Sequence, residues 1–227
     1  MKIGENLYRW IFILCLPVLL LSASLALGFN SRWMFNYGFE KYHVGAATGL
    51  SDANLNKIAV SWTSYIDSNR EYWDIVIELD GKSFPLFTQD EQMHFKDVKS
   101  LVWLDYKVLM VTLLLCLSYG FYCLRRRTKE SSRRLAGDAA IGGGVSMGLI
   151  LLLGAASFLD FDSLFLNMHY LLFTNNFWYA DGYMLELFPG GFWYDAAFIC
   201  IGLMAGLTLV VGGAGLLYLR STGRNRK

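Results

Sequence analysis

The chain has 227 residues, of which 55% are hydrophobic and 17% charged, and its mean hydropathy is +0.36. Soluble globular domains are far less apolar, so this composition excludes that class and indicates an integral membrane protein. The formal net charge is only +1, and we expect no nucleic-acid partner.

Four apolar stretches are long enough for the ~20 residues that a membrane-spanning helix needs. None of them contains a charged residue, which favours full spans over charge-lined cavities or proton relays. The predicted divisions are an N-terminal segment with the first span over 1–29, an α+β segment over 30–107, the second span over 108–124, a basic link over 125–138, the third span over 139–159, an aromatic loop over 160–195, the fourth span over 196–219 and a basic tail over 220–227.

Lysine and arginine are concentrated in three short segments. Residues 1–10, 125–134 and 220–227 together hold 12 of the 20 basic residues. Basic residues accumulate on the cytoplasmic side of membrane helices. We therefore predict a multi-pass protein of the cell membrane, with both termini in the cytoplasm and residues 30–107 and 160–195 outside. The first apolar run exceeds the ~7–15 residues of a cleavable signal peptide, which favours an uncleaved anchor. Cleavage stays open and would leave both outer segments on the same side.

The outer segment 30–107 carries short signals for both helix and strand. Ser51 precedes apolar residues at helical spacing, which predicts a helix that ends near Ile66. A β-rich run over 74–79 is followed by Asp80-Gly81, the pattern of a tight hairpin. Residues 89–99 are polar and predict a short helix or turn that leads to the second span.

The outer segment 160–195 differs in being crowded with aromatic residues. Its first part has one apolar helical stripe, made of Phe161, Leu164, Phe165, Met168 and Leu172. Such a stripe outside a span predicts a helix lying in the membrane interface, with Asp162 and His169 on one flank of it. The predicted fold is thus a mainly α membrane protein with four transmembrane helices, a small α+β extracytoplasmic segment and an interfacial helix before the last span.

Cysteine and histidine give no evidence for a disulfide framework or a metal centre. The four cysteines lie within or at the edges of the predicted spans, and the three histidines are scattered. We therefore expect no metal and no cofactor. Two glycine pairs with small-xxx-small spacing, Gly144 with Gly148 and Gly202 with Gly206, predict close packing of the third span on the fourth; the oligomeric state stays open.

Three stretches carry a family resemblance. The first is residues 37–65, which contain Lys41-Tyr42-His43-Val44 and end at Tyr65, with Ile66 directly after it. The second is the His-x-x-Asp-Val-Lys element that begins at His94. The third is a histidine followed by aromatic residues, an asparagine, a tryptophan, Leu-Phe-Pro and a phenylalanine, here His169, Phe173, Asn176, Trp178, Leu187-Phe188-Pro189 and Phe192. Together they resemble the lipoprotein intramolecular transacylases, a bacterial family of four-span membrane proteins. The chain departs from that pattern at Met168, where phenylalanine is expected, and at Gly190-Gly191, which replaces a Pro-Glu-like continuation.

The resemblance implies an acyl transfer within one substrate, a diacylglyceryl lipoprotein held among membrane lipids. The sn-2 acyl chain of the lipid-modified cysteine moves to that cysteine's own α-amino group, which gives an N-acyl, S-monoacylglyceryl (lyso-form) lipoprotein without a cofactor. The α-amino group has a reference pKa near 8. Transfer of its proton to a neutral imidazole therefore costs little free energy, and the amine that results is nucleophilic.

The same resemblance implies roles for seven residues, and the helical spacing to His169 adds Asp162 as an eighth, weaker candidate. His169 is the first candidate for general base and acid, and His94 is the second. Tyr65 is a candidate oxyanion donor. The predicted substrate-binding residues are Phe173, Asn176 and Trp178, and the predicted orienting residues are Asp97 and Asp162. Structural alternatives stay open: an amphipathic linker with a half-exposed histidine, a capping role for His94 and interfacial packing for Tyr65.

Two other functions are also open from the sequence. The chain could be a non-catalytic membrane sensor or assembly partner, or a related acyltransferase with another lipid ester as substrate. A transacylase requires at least two of His169, His94 and Tyr65 to meet at one groove, whereas a binding module has no reason to bring them together.

Overall fold

The protein is described here from a computed structural model, which covers residues 3–79, 81–179 and 181–224. The fold is mainly helical, as predicted. Its elements in chain order are α1 (Ile3–Phe29), α2 (Arg32–Lys41), α3 (Val44–Thr48), α4 (Asp52–Ile66), β1 (Val76–Leu79), β2 (Lys82–Pro85), α5 (Gln89–Arg125), α6 (Lys129–Leu159), α7 (Phe161–Leu172), a 3₁₀ turn (Phe177–Tyr179), α8 (Tyr183–Leu187) and α9 (Gly190–Arg224).

Four of these helices, α1, α5, α6 and α9, are long and apolar enough to cross a membrane, which agrees with the four predicted spans. They extend beyond the apolar runs, and α5 has 37 residues. A helix of that length is about 55 Å long, well over the ~30 Å apolar core of a bilayer. Residues 89–99 are helical, one of the two predicted alternatives, but they form the first turns of α5 and not a short element of their own. No glycine or proline between 89 and 119 interrupts the helix.

The chain divides into two compact units. The first, the membrane-spanning unit, holds α1 up to Ala26, α5 from Asp105, α6 up to Ala155 and α9 from Ile199. Its core is apolar and is formed by Phe12, Ile13, Leu16, Leu20, Cys116, Tyr119, Cys123, Ile150 and Met204. Near the core the buried carboxylate of Asp138 accepts from Arg9 Nε at 2.5 Å and from the Tyr119 hydroxyl at 2.6 Å, so the charge is fully partnered.

The backbones of α6 and α9 approach closely within this unit, but not through the predicted glycines. A Cβ on Gly143 would lie 2.9 Å from the Cα of Gly212, and a Cβ on Gly215 would lie 2.5 Å from the carbonyl oxygen of Ala136. Gly144, Gly148, Gly202 and Gly206 have open space where a side chain would be. The predicted glycine pairs are therefore wrong. The small-xxx-small spacing identifies a helix face that would permit close contact, but the contact between α6 and α9 is made by a neighbouring face of the helices.

The second unit, the outer unit, holds residues 27–104 and 156–198. Its core is aromatic. Trp73 contacts Trp62 at 5.0 Å, Phe87 at 4.7 Å and Phe95 at 4.9 Å between ring centroids. The buried indoles also donate hydrogen bonds, Trp62 to the carbonyl oxygen of Phe29 and Trp73 to the hydroxyl of Ser61, as buried tryptophans usually do.

The predicted helix and hairpin of this unit are both present. Ser51 accepts from the backbone N–H of Asn54 as the N-cap of α4, and β1 pairs with β2 in antiparallel register. Gly81 has φ +72°, a left-handed value that suits glycine; Asp80, the other residue of the predicted turn, lies outside the described residues. Along the outer edge of β1, Asn54 and Lys57 of α4 donate to the carbonyl oxygens of Glu78 and Val76.

Candidate active site

The site is built on the part of α5 that belongs to the outer unit, residues 89–104. His94 lies on the second turn and is only 8% exposed. Its neighbour Phe95 packs into the aromatic core beside Trp73, and this fixes the rotation of the helix. His94 is consequently held at the edge of the core, where its Nδ1 atom is buried and has no hydrogen-bond partner among the described residues.

The second histidine is on α7, the predicted interfacial helix. His169 is 7% exposed and follows Phe161 and Phe165 on the buried face, with the Phe165 ring 4.3 Å from its own. The prediction that it borders the apolar stripe on a flank is wrong. Leu164 and Met168 of the stripe are exposed, whereas Phe161 and Phe165 contact Tyr194 and Trp193.

The two histidine rings meet although 75 residues separate them in the sequence. Their centroids are 6.0 Å apart and their planes are inclined by 29°. Phe173 contacts both, at 5.0 Å from His94 and 5.4 Å from His169. On the other side Trp178 lies 5.0 Å from His169. The pair is thus enclosed by aromatic rings from the chain that follows α7.

A hydrogen bond fixes the tautomer of His169. Its Nδ1 atom lies 2.7 Å from the carbonyl oxygen of Phe165, one turn earlier in α7. A carbonyl oxygen can only accept, so Nδ1 carries the proton and Nε2 keeps a lone pair whenever the ring is neutral. His169 therefore offers one basic nitrogen of defined position.

The surroundings favour the neutral form of both rings. Burial lowers the pKa of His94 from 6.5 to about 4, with a further lowering by His169 and an opposing effect of Asp97. Burial also lowers the pKa of His169 below its ordinary value, against the opposing effect of its bond to Phe165. Near neutral pH the site therefore holds two uncharged imidazoles, which can accept protons but do not repel each other as cations.

Both histidines line a cavity of about 350 Å³ in the outer unit. This volume falls within the ~300–1,000 Å³ range of small-ligand sites. Its walls are largely aromatic and include Phe35, Trp62, Phe95, Phe165, Trp178 and Trp193. Among the described residues that line it there is no carboxylate. The cavity is therefore suited to uncharged groups such as an ester and a neutral amine, with acyl chains against the rings.

The two predicted orienting carboxylates lie elsewhere than expected. Asp97, on α5, accepts a hydrogen bond at 2.8 Å from the side-chain amide of Asn175. Asp162 is exposed on the first turn of α7, and the Nδ1–H of His169 is donated to a backbone carbonyl rather than to this carboxylate. Asp97 thus acts on His94 only through its charge, and the orientation of His169 comes from its own helix.

Of the other predicted site residues, two lie beside the histidines and two lie outside the cavity lining. Trp178 lines the cavity and Phe173 contacts both histidines. Asn176 is exposed, and its described hydrogen bond is a backbone one, from the N–H of Tyr179 to its carbonyl oxygen. Tyr65 is fully buried outside the cavity lining, and its hydroxyl donates to the carbonyl oxygen of Glu71 at 3.1 Å. Burial raises the pKa of Tyr65 to about 12.

Two residues near the site were missed from the sequence. Asn175 contacts Asp97, whereas its neighbour Asn176 was singled out; nothing in the sequence distinguishes the two. Glu91 is fully buried and accepts backbone hydrogen bonds from Thr88 at 2.7 Å and Met184 at 2.6 Å. The pattern Thr88-x-x-Glu91 is a capping box and was visible in the sequence, but its second partner was not.

No group of three or more histidine, cysteine, aspartate or glutamate side chains comes together in a metal-binding arrangement within the described part of the chain. The site chemistry that the described residues offer is acid–base chemistry by imidazole in apolar surroundings.

Comparison with known proteins gives one family. The model of the family described as "Lipoprotein intramolecular transacylase Lit" matches residues 10–193. A search of the curated proteins by sequence found no match.

Solved structures with the same fold come from Bacillus cereus. One is the in meso structure of its membrane integral lipoprotein intramolecular transacylase Lit, with 16% identity and a TM-score of 0.74, covering 97% of this chain and 98% of that one. A variant of that protein with one histidine changed to arginine has 14% identity and a TM-score of 0.73, covering 99% and 95%. A variant with a histidine changed to alanine has 15% identity and a TM-score of 0.72, covering 98% and 96%. At this level of identity the likeness establishes the fold alone.

Proposed function

We propose that this chain, which belongs to the lipoprotein intramolecular transacylase family over residues 10–193, transfers an acyl chain within a diacylglyceryl lipoprotein. The sn-2 acyl group of the lipid-modified cysteine moves to the α-amino group of the same cysteine, and the product is the lyso-form lipoprotein. The family assignment and the meeting of two neutral histidines in an apolar cavity support this proposal.

The reaction is an isomerisation. The α-amino nitrogen attacks the sn-2 ester carbonyl carbon, a C–N bond forms, and the bond from that carbon to the sn-2 oxygen breaks. One proton leaves the nitrogen and one reaches the released oxygen, so that the products are an amide and a hydroxyl. Ester and amine are parts of one molecule, so orientation in the site can supply up to ~7–11 kcal/mol of the barrier reduction.

His169 is the proposed proton carrier. With Nδ1–H donated to Phe165, Nε2 can take the proton from the amine and return it to the sn-2 oxygen. The lowered pKa of His169 keeps Nε2 unprotonated near neutral pH. General acid–base catalysis of this kind contributes typically ~10²–10⁴-fold. This hydrogen bond, in a ring that lines the cavity, is the observation that carries the assignment.

His94 is the proposed second participant. Its buried Nδ1 has no partner among the described residues, and an unpaired polar atom of this kind is costly unless something binds to it. The His94 ring lines the same cavity as His169, so it can contact a substrate group bound there. Because the His94 ring lies 6.0 Å from that of His169, both can reach the same ester.

We infer that the cavity is on the outer face of the cell membrane, with both termini in the cytoplasm. The distribution of basic residues supports this orientation. The exposed face of α7 supports contact with lipid, since Leu171 is 84% exposed and Tyr170 is 63% exposed. The same helix carries His169 on its other, buried face, so α7 would lie between the surrounding lipid and the acid–base group.

The test is expression in a bacterium whose lipoproteins keep a free α-amino group, followed by mass spectrometry of one lipoprotein's N-terminal lipopeptide. Since the reaction is an isomerisation, the total mass stays constant and fragment ions must locate the acyl chain on the nitrogen. We expect the wild type to convert, His169→Gln to lose at least ~10²-fold because an amide cannot carry the proton, and Asn167→Ala, an exposed change on the same helix, to convert normally.

Other outcomes identify the alternatives. A lipopeptide heavier by one acyl chain would indicate an external acyl donor and contradict the intramolecular reaction. No N-acylation by the wild type would favour a sensor or assembly role. Conversion by His169→Gln at the wild-type rate would remove His169 from the mechanism.

A further inference from the structure

The segment that follows α7 is organised by one side chain, that of Asn175. Its amide N–H donates to Asp97 at 2.8 Å, and its amide oxygen accepts from the backbone N–H of Phe177 at 3.1 Å. Its backbone carbonyl accepts from the indole N–H of Trp178 at 2.9 Å. Asn175 therefore links α5, the local turn and the indole in a continuous set of hydrogen bonds.

This link lies beside the two histidines. Phe173, two residues before Asn175, contacts both rings, and Trp178, three residues after it, packs against His169. Both aromatic rings are attached to the chain that Asn175 holds, so a shift of that chain moves them relative to the histidines. The separation of the histidine rings consequently depends on a polar contact outside the cavity lining.

The acceptor for Asn175 lies three residues after His94 on α5, and a second anchor lies three residues before it. Glu91, His94 and Asp97 are one helical turn apart in succession. Glu91 accepts from the backbone of Met184, and a Cβ on Gly182 would lie 2.6 Å from the same carboxylate. The chain between α7 and α9 is thus attached to α5 on both sides of His94, at Asn175 and at Met184.

We propose that Asn175 is a positioning residue of the transfer reaction: through Asp97 it holds Phe173 and Trp178 in place, and these rings set the position of His169 relative to His94. The proposal rests on the function proposed above and adds a residue to it. Asn175 touches neither reacting atoms nor the cavity, so its effect is on geometry.

The pair can be tested by exchanging its two members. Asn175→Asp sets two carboxylates face to face and removes the donor, so the segment should detach from α5. Asp97→Asn removes the charge but still allows one amide–amide hydrogen bond. In the double variant Asp97→Asn/Asn175→Asp, the amide at 97 can donate to the carboxylate at 175, which can also accept from Phe177 N–H. The arrangement is restored with the charge moved.

We expect Asn175→Asp to lower kcat by about 10²-fold, as small misplacements of catalytic groups do, with a much smaller change in KM. The double variant should recover most of this loss. Asn167→Ala, which removes an exposed amide of α7, should leave both constants unchanged. A loss that the exchange does not recover, or an Asn175→Asp enzyme as active as wild type, would overturn the proposal.

A second measurement does not depend on activity. In protein labelled with 5-fluorotryptophan, the ¹⁹F resonance of Trp178, identified from Trp178→Phe, should shift in Asn175→Asp and return in the double variant, while the remaining tryptophan resonances keep their positions. An unmoved Trp178 resonance in Asn175→Asp contradicts the positioning role. If the resonance behaves as expected but the wild type makes no lyso form, the proposed reaction fails and the positioning of the rings stands.

Discussion

In the membrane-spanning unit the buried carboxylate of Asp138 accepts from side chains, whereas in the outer unit the buried carboxylate of Glu91 accepts from backbone N–H groups. Asp138 is paired with Arg9, and Glu5 with Arg126 at 2.6 Å. In the outer unit, Glu91 accepts from two backbone N–H groups, and Lys99 donates to the carbonyl oxygens of Ser68 and Arg70. The first contacts join α1 to α6 and to the residue after α5, and the second fix loops that have no regular hydrogen-bonding pattern.

The difference follows from what each unit lacks. The helices of the membrane-spanning unit satisfy their own backbone groups, so a buried carboxylate there can take its partners from side chains. The outer unit contains long non-helical stretches whose backbone groups must find partners. A site that needs two histidines from distant parts of the chain is accordingly found in the outer unit, where side chains fix loops and so can fix a geometry.

The first and largest expected effect is a pH dependence of stability from His94. Its pKa is about 4 in the folded chain and 6.5 as the ordinary value. The folded state therefore binds fewer protons than the unfolded state between these values. The free energy of unfolding is therefore unaffected by His94 protonation above pH 6.5. It decreases as the pH falls toward 4, by at most about 3 kcal/mol.

The measurement is thermal unfolding in detergent at several pH values between 7.5 and 4. His94→Gln should flatten the decline, because an amide does not titrate. His43→Gln is the matched control: His43 is exposed in the folded chain, so its loss should leave the decline as it is. An equal slope in His94→Gln and wild type would show that burial of His94 does not contribute.

The second prediction concerns the contact of α6 with α9 in the membrane-spanning unit. Gly215→Ala introduces a methyl group 2.5 Å from the carbonyl oxygen of Ala136, and a clash with backbone cannot be relieved by a side-chain rotation. Overpacking of this kind costs about 1–3 kcal/mol. Gly206→Ala, in the same helix but facing open space, should be neutral or stabilising by up to about 1 kcal/mol. Unfolding midpoints in detergent compare the two; equal midpoints would contradict the close approach.

The sequence predicted those features of each unit that depend on neighbouring residues in the chain, and not those that depend on packing between helices. Apolar length alone identifies the four spans, and local signals identify the N-cap Ser51, the hairpin and α7, since each depends on neighbours in the chain. Which glycines touch, and which face of α7 turns inward, depends on packing between helices that spacing does not encode. Small-residue spacing pointed to Gly144 and Gly206, and the observed contacts involve Gly143 and Gly215.

The candidate site was predicted in part for the same reason. The family resemblance identified His94 and His169 as candidate residues. Their proximity depends on the packing of α5 against α7, which the sequence does not show. Asn175 and Asn176 are equivalent in sequence, and only the turn at Phe177 directs one of them toward Asp97. Tyr65 matched a family position, and its hydroxyl is directed to a backbone carbonyl.

The smallest expected effect is that of Tyr65→Phe. The hydroxyl donates to the carbonyl oxygen of Glu71 at 3.1 Å, and one such hydrogen bond contributes about 0.5–1.5 kcal/mol to stability. The ring, which stacks on Trp73 at 9° between planes, is kept. We therefore expect a small drop in the unfolding midpoint and an acyl-transfer rate within a few-fold of wild type. An oxyanion donor would behave differently, because its removal costs about 10²–10³-fold in kcat. The two roles are thus separated by measuring both quantities on one variant: a rate loss of that size with an unchanged midpoint would mean that the Tyr65 hydroxyl leaves Glu71 and reaches the substrate, and the outer unit would then contribute a third group to the reaction.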